Sequence, residues 1–231
     1  MGAESKSFPQ VVPPPCTPLS ASADTRSWAL WLQISLVYSL ILMASWTPEG
    51  PWKSAWMVLA ACAVASFALC SRYTVKQMGL GLPAARGVFL IIGLGIALAS
   101  TLPVVATWSG LRFPPVRVVP WRAAWQYGIW ALMQQFTLQS FFFLRMESLL
   151  GGRRAVAAAA LLFASVHLPS PILTIATLIG GFFFCEMFRR YRSILPLGVV
   201  HALLGLTIAA SFSDHLLHHM RVGIGYLAFH A

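Results

Sequence analysis

Charge is what this sequence has least of. Only 10% of its 231 residues are Asp, Glu, Lys or Arg, while 58% are hydrophobic and the mean hydropathy is +0.74. A soluble domain carries about 25% charged residues, so this composition excludes an ordinary water-soluble fold and points to lipid as the solvent. Acidic residues are fewest, 6 against 16 Lys and Arg, which gives a net charge of +10. The basic residues stand in short clusters between apolar runs, a membrane-topology pattern, and this excludes a continuous nucleic-acid-binding face. The four cysteines, Cys16, Cys62, Cys70 and Cys185, form no C-x-x-C pair or other metal-ligand spacing; three lie in apolar segments, where Cys behaves as a small hydrophobe. Residues 1–27, MGAESKSFPQVVPPPCTPLSASADTRS, lack an early apolar core, which excludes a cleavable signal peptide. Lys6 also stands where the myristoylation pattern wants Ser or Thr. The segment is expected to be a disordered cytoplasmic tail.

What is present is a series of apolar runs: Trp28–Trp46, Ala55–Cys70, Gly87–Val105, Ala123–Leu144, Ala155–His167, Ile172–Phe188 and Leu195–Phe212. Crossing a bilayer takes about 17–25 residues, so the second and fifth are short. The expected fold is all-α, a polytopic membrane bundle of about seven transmembrane helices. Residues 28–212 form the membrane domain and 213–231 a C-terminal tail. Trp28, Trp31, Trp46, Trp52, Trp56, Trp108 and Trp121 fall at run ends, as interfacial aromatic belts do. Seven crossings put the N-terminus and residues 71–86, 145–154 and 189–194 on one side, with 11 of the 16 basic residues. The positive-inside rule makes that side, and the N-terminus, cytoplasmic.

Polar groups inside such runs are expensive and mark function. They are Gln134, Gln135, Gln139, His167, Glu186 and His201. Gln135 and Gln139, four apart, share one helix face and are expected to point inward. The plain structural reading is interhelical hydrogen bonding, worth about 0.6 kcal/mol on average. His167 ends FASVH before LPSP, where Pro169 and Pro171 break the helix ~20 Å after Arg154. His201 lies ~9 Å into the last run, and an imidazole there can take or give a proton. Helix counting thus puts the two histidines at different depths. Glu186 is expected to pair with Arg189 or Arg190. Asp214, His215, His218 and His219 in DHLLHHM lack a ligand pattern and read as interfacial decoration rather than a metal site.

The order of these motifs resembles the CAAX protease and bacteriocin-processing family of intramembrane enzymes, also called the Abi family. Its pattern is E-E-x-x-x-R on one helix, F-x-x-x-H on the next, a glycine-spaced helix entering a basic turn, and H-x-x-x-N. Phe163-Ala-Ser-Val-His167 matches the second motif, GGFFFCEMFRRYRSILPLGVVH resembles the lead into the last, and His201 matches its histidine. The likeness covers about residues 121–212. Gln134 and Gln135 stand where the family has its glutamate pair, Gln139 where it has arginine, and Gly205 where it has asparagine. In the family a glutamate, assisted by the two histidines, activates water to cleave a peptide bond after a prenylated cysteine. A carboxamide can orient a water but cannot deprotonate it. Replacing all three charged groups by Gln keeps the hydrogen-bonding shape without leaving a buried charge unpaired.

The resemblance makes Gln134, Gln135, Gln139, His167 and His201 the candidate catalytic residues. Three functions stay open: an endopeptidase of lipidated or membrane-embedded peptides with a histidine as base, a non-proteolytic binding or immunity-type relative, and an enzyme of isoprenoid lipids. The sequence requires no cofactor and leaves any metal undetermined. The expected partners are the lipid bilayer and a prenylated peptide or isoprenoid lipid, not nucleic acid.

Overall fold

A computed structural model describes residues 20–111 and 119–229; of the segment expected as a tail, residues 1–19 lie outside it. Every apolar run becomes helix, and no strand occurs among the described residues. The helices are α1 (Ser20–Trp46), α2 (Pro51–Leu69), α3 (Ala85–Trp108), α4 (Trp121–Gln135), a π-helical stretch (Phe136–Phe143) that continues into α5 (Leu144–Leu150), α6 (Gly152–Ser165), α7 (Pro171–Tyr191) and α8 (Ile194–Ser211). Two short turns, α9 (Asp214–Leu217) and α10 (Ile224–Leu227), close the described chain.

The breaks have local causes. Pro51 and Pro171 occupy the first position of α2 and α7, where the missing N–H is no loss. Gly151, at φ 79°, separates α5 from α6, a conformation that costs glycine little.

Among the described residues, five helices are long and apolar enough to cross a membrane: Ser27–Trp46, Pro51–Leu69, Ala85–Trp108, Pro171–Tyr191 and Ile194–Ser211. The 14-residue α6 is too short, and the fourth apolar run is divided by its π-helical stretch. The chain is a multi-pass membrane protein, and its outer surface suits lipid. Phe89, Ile129, Ile175 and Val199 are exposed, as are the interfacial Trp52, Trp108 and Trp121.

Contacts between loops define two ends of the bundle. At one, Arg192 pairs with Glu147 at 2.6 Å, the Ile194 amide donates to the Gly79 carbonyl, and Tyr73 bonds Ser148 at 2.9 Å. Glu186 joins this end by pairing with both Arg189 and Arg190, as its spacing predicts. At the other end, the Gly223 amide donates to Leu168 O at 2.9 Å, tying the C-terminal segment to the α6–α7 turn.

One basic residue departs from the sequence expectation. Arg145 is expected in a cytoplasmic loop, but the fourth helix runs on to Leu150 and buries it to 1% exposure. Its Nε donates to Gln33 Oε1 at 2.8 Å, Nη1 to Phe141 O and Nη2 to Phe67 O, both at 3.1 Å. The guanidinium also lies 3.9 Å over the Phe141 ring. Arginine's fork of donors makes this burial tolerable, because three acceptors replace water.

Candidate active site

The amides are held by the wider winding of the π-helical stretch. An α-helix would turn one of three consecutive phenylalanines outward, whereas here Phe141, Phe142 and Phe143 are all buried. They pack on Phe67, Tyr38 and Phe188 respectively. π-bulges of this kind are frequent at functional sites. The same winding carries Gln139 inward, fully buried beside the fully buried Gln135. Sequence alone predicts the inward face but not the altered winding, since no residue pattern specifies it.

From Gln139 a hydrogen-bonded chain runs to α8. Gln139 Nε2 donates to Gln135 Oε1 at 3.2 Å, and Gln135 Nε2 donates to His201 Nδ1 at 3.1 Å. Gln139 Nε2 also lies 3.8 Å from Cys185 Sγ on α7, while its Oε1 has no partner among the described residues. A carboxamide nitrogen can only donate, so His201 Nδ1 accepts and the ring carries its proton on Nε2. His167 is the opposite case. Its Nδ1 donates to the Phe163 carbonyl at 2.8 Å, so its Nε2 keeps the lone pair. The two imidazoles therefore differ in role: His167 can accept a proton, and His201 can donate a hydrogen bond.

Both histidines line one cavity of about 580 Å³. The Phe163 ring lies edge-on to each, 4.9 Å from His167 and 5.8 Å from His201. Helix counting sets the two histidines at different depths, yet a single phenyl ring touches both. His167 sits in the turn after α6, where Ser170 N bonds the His167 carbonyl and Gly223 N that of Leu168, so the broken helix end is satisfied by protein.

Gln134 also lines the cavity, whereas Gln135 and Gln139 do not. The three glutamines thus divide into one amide facing the cavity and two behind His201. Phe184 and Leu204 are among the apolar walls, and Glu49, Lys53 and Arg221 stand where the cavity reaches the C-terminal end of the bundle. Lys53 bonds Glu49 at 2.6 Å and holds its carboxyl below the usual range. The space is of the size and character of a small-ligand or lipid-chain site. Among the described residues, no three His, Cys, Asp or Glu side chains converge as a metal would need.

Tyr127, on α4, was not singled out by the sequence. It lines the same cavity, and its ring lies edge-on to His201 with centroids 6.5 Å apart. Its spacing from Ala131, Gln134 and Gln135 is the helical repeat that could have found it.

No curated protein and no solved structure matches the chain. The family resemblance read from Phe163, His167 and His201 is borne out over a defined segment. Residues 117–207, which hold the amides, both histidines and Gly205, match the family model of the type II CAAX prenyl endopeptidases, described as Rce1-like, and over that segment the chain is similar to that family.

Proposed function

We propose that the protein hydrolyses a lipid-modified peptide within the bilayer, with the lipid chain in the apolar cavity and His167 as the group that takes up a proton. One observation carries this reading: His167 and His201 line one cavity, with Nδ1 of the first held by Phe163 O and Nδ1 of the second by Gln135 Nε2. A base and a hydrogen-bond donor flanking a bound carbonyl are the two elements that hydrolysis needs once water is admitted. Gln135 and Gln139 then act as positioning residues that fix the His201 ring, and Gln134 orients water or substrate. The N-terminal end of the bundle faces the cytoplasm on this reading, on the strength of its basic residues, and the cavity mouth opens on the opposite side.

A second reading is favoured by the lining itself. Among the described residues, the one carboxylate on the cavity wall is Glu49, at the mouth and paired with Lys53. A site without an inner carboxylate suits binding of a lipidated peptide without cleavage. The two readings part in one assay, cleavage of a farnesylated CaaX peptide by the purified protein in liposomes. Turnover that is lost in His167→Ala supports the first reading. Binding without turnover in the native protein, with cleavage gained in the triple variant Gln134→Glu, Gln135→Glu, Gln139→Arg, supports the second. Fusion of a reporter to the N-terminus tests the orientation, and a reporter active only outside the cytoplasm would overturn it.

A further inference from the structure

Gly205 and Tyr127 form a complementary pair at the cavity wall. An ideal Cβ built on Gly205 would clash with the Tyr127 hydroxyl, with the adjoining ring carbons at 2.5 and 2.6 Å. The hydroxyl therefore occupies the volume that a side chain at position 205 would need. Gly205 lies four residues after His201, on the same face of α8. Both residues line the cavity, and so does Tyr127. The phenol is thus delivered from α4 to the place on α8 that stands one turn beyond the histidine. Besides Gly205, the side-chain neighbour described for Tyr127 is the His201 ring, edge-on at 6.5 Å. The hydroxyl is not one of the sealed, partnerless polar atoms of the interior, so it is open to the cavity it lines, and a phenol so placed takes its acceptor from whatever fills that space.

We propose that Tyr127 is a carbonyl-binding residue of this cavity. Its hydroxyl donates a hydrogen bond to a carbonyl-type oxygen of the bound molecule. The ligand class that fits is an amphiphile with a long apolar chain and a carbonyl group close to it, as in an acyl, ester or amide linkage. A glycine at 205 is then required, because any larger residue would expel the ring. The inference rests on the reading that the cavity holds the substrate, but not on turnover.

The experiment uses the full chain in nanodiscs and two probes of equal length: a long-chain methyl ketone and the alkane in which CH₂ replaces the carbonyl. Each competes against the tritiated ketone. Native protein is expected to favour the ketone about tenfold, the effect of one buried hydrogen bond. Tyr127→Phe should abolish that preference while leaving alkane affinity unchanged, a selectivity that loss of packing would not produce. Should the ring itself prove necessary for folding, the pair Tyr127→Ala and Tyr127→Ala/Gly205→Asn gives the same information. Ketone preference should be absent in the first and restored in the second, where the amide reaches the site from α8. A native protein without ketone preference, or a Tyr127→Phe variant that keeps it, overturns the proposal. Loss of peptide cleavage with the ketone preference intact would instead count against hydrolysis alone.

Discussion

Replacing Gln135 with leucine removes the central link of the chain from Gln139 to His201 while nearly preserving volume. Two hydrogen bonds disappear, one of 3.2 Å within the helix and one of 3.1 Å to α8. His201 Nδ1 is left buried without a partner, and Gln139 Nε2 retains only the 3.8 Å contact with Cys185. Interhelical bonds in membranes average about 0.6 kcal/mol and reach about 1.7, and a buried orphan costs about 1–3 kcal/mol. Gln135→Leu should therefore cost about 1–3 kcal/mol. Gln139→Leu differs, because it leaves Gln135 Oε1 without its donor but also removes an oxygen that already lacks a partner, so the two largely offset. Its cost should stay within about 1 kcal/mol, and the double variant should cost no more than Gln135→Leu alone, since only His201 is then orphaned. A double-mutant cycle measured by reversible unfolding in bicelles reads this coupling directly. Equal single costs that simply add would refute the hydrogen-bonded chain.

Other outcomes follow from the same structure. Gln135→Glu replaces a donor by an acceptor, so His201 must donate from Nδ1; the ¹⁵N shifts of labelled His201 should exchange their pyrrole-like and pyridine-like positions, and unchanged shifts would contradict the assigned tautomer. Arg145→Met leaves Gln33, Phe67 and Phe141 acceptors unsatisfied and should cost about 2–4 kcal/mol. Arg145→Lys should recover only part of that, because an ammonium lacks the fork; full recovery in the thermal midpoint would argue that charge alone matters. A Cβ at Gly95 would stand 2.5 Å from both methyls of Val200, so Gly95→Leu should destabilise the α3–α8 contact by about 1–3 kcal/mol through overpacking. Val200→Ala should relieve part of that loss.

The sequence carries the scaffold well, because apolar runs and prolines act locally. Each of the seven runs is helical, Pro51 and Pro171 open helices, and Glu186 finds both arginines. The inward face of Gln135 and Gln139 is legible from four-residue spacing. The role of each histidine is not, since it depends on which atom meets Nδ1, a carbonyl for His167 and an amide nitrogen for His201. Arg145 misleads for a related reason. Its charge suggests a loop, but acceptors from three helices, brought together only by folding, make burial feasible. The helical repeat puts Tyr127 on the face of Gln134 and Gln135, but its fit against Gly205, 78 residues away in the chain, comes only with folding.

Cleavage of a farnesylated CaaX peptide by the purified protein in liposomes, compared with His167→Ala, bears on the central claim most directly. Native turnover that falls by about 10²-fold or more in the variant is the expected result, the loss typical of removing a general base. A native protein that binds the peptide and leaves it intact, or a His167→Ala variant that cleaves it equally fast, would contradict the account.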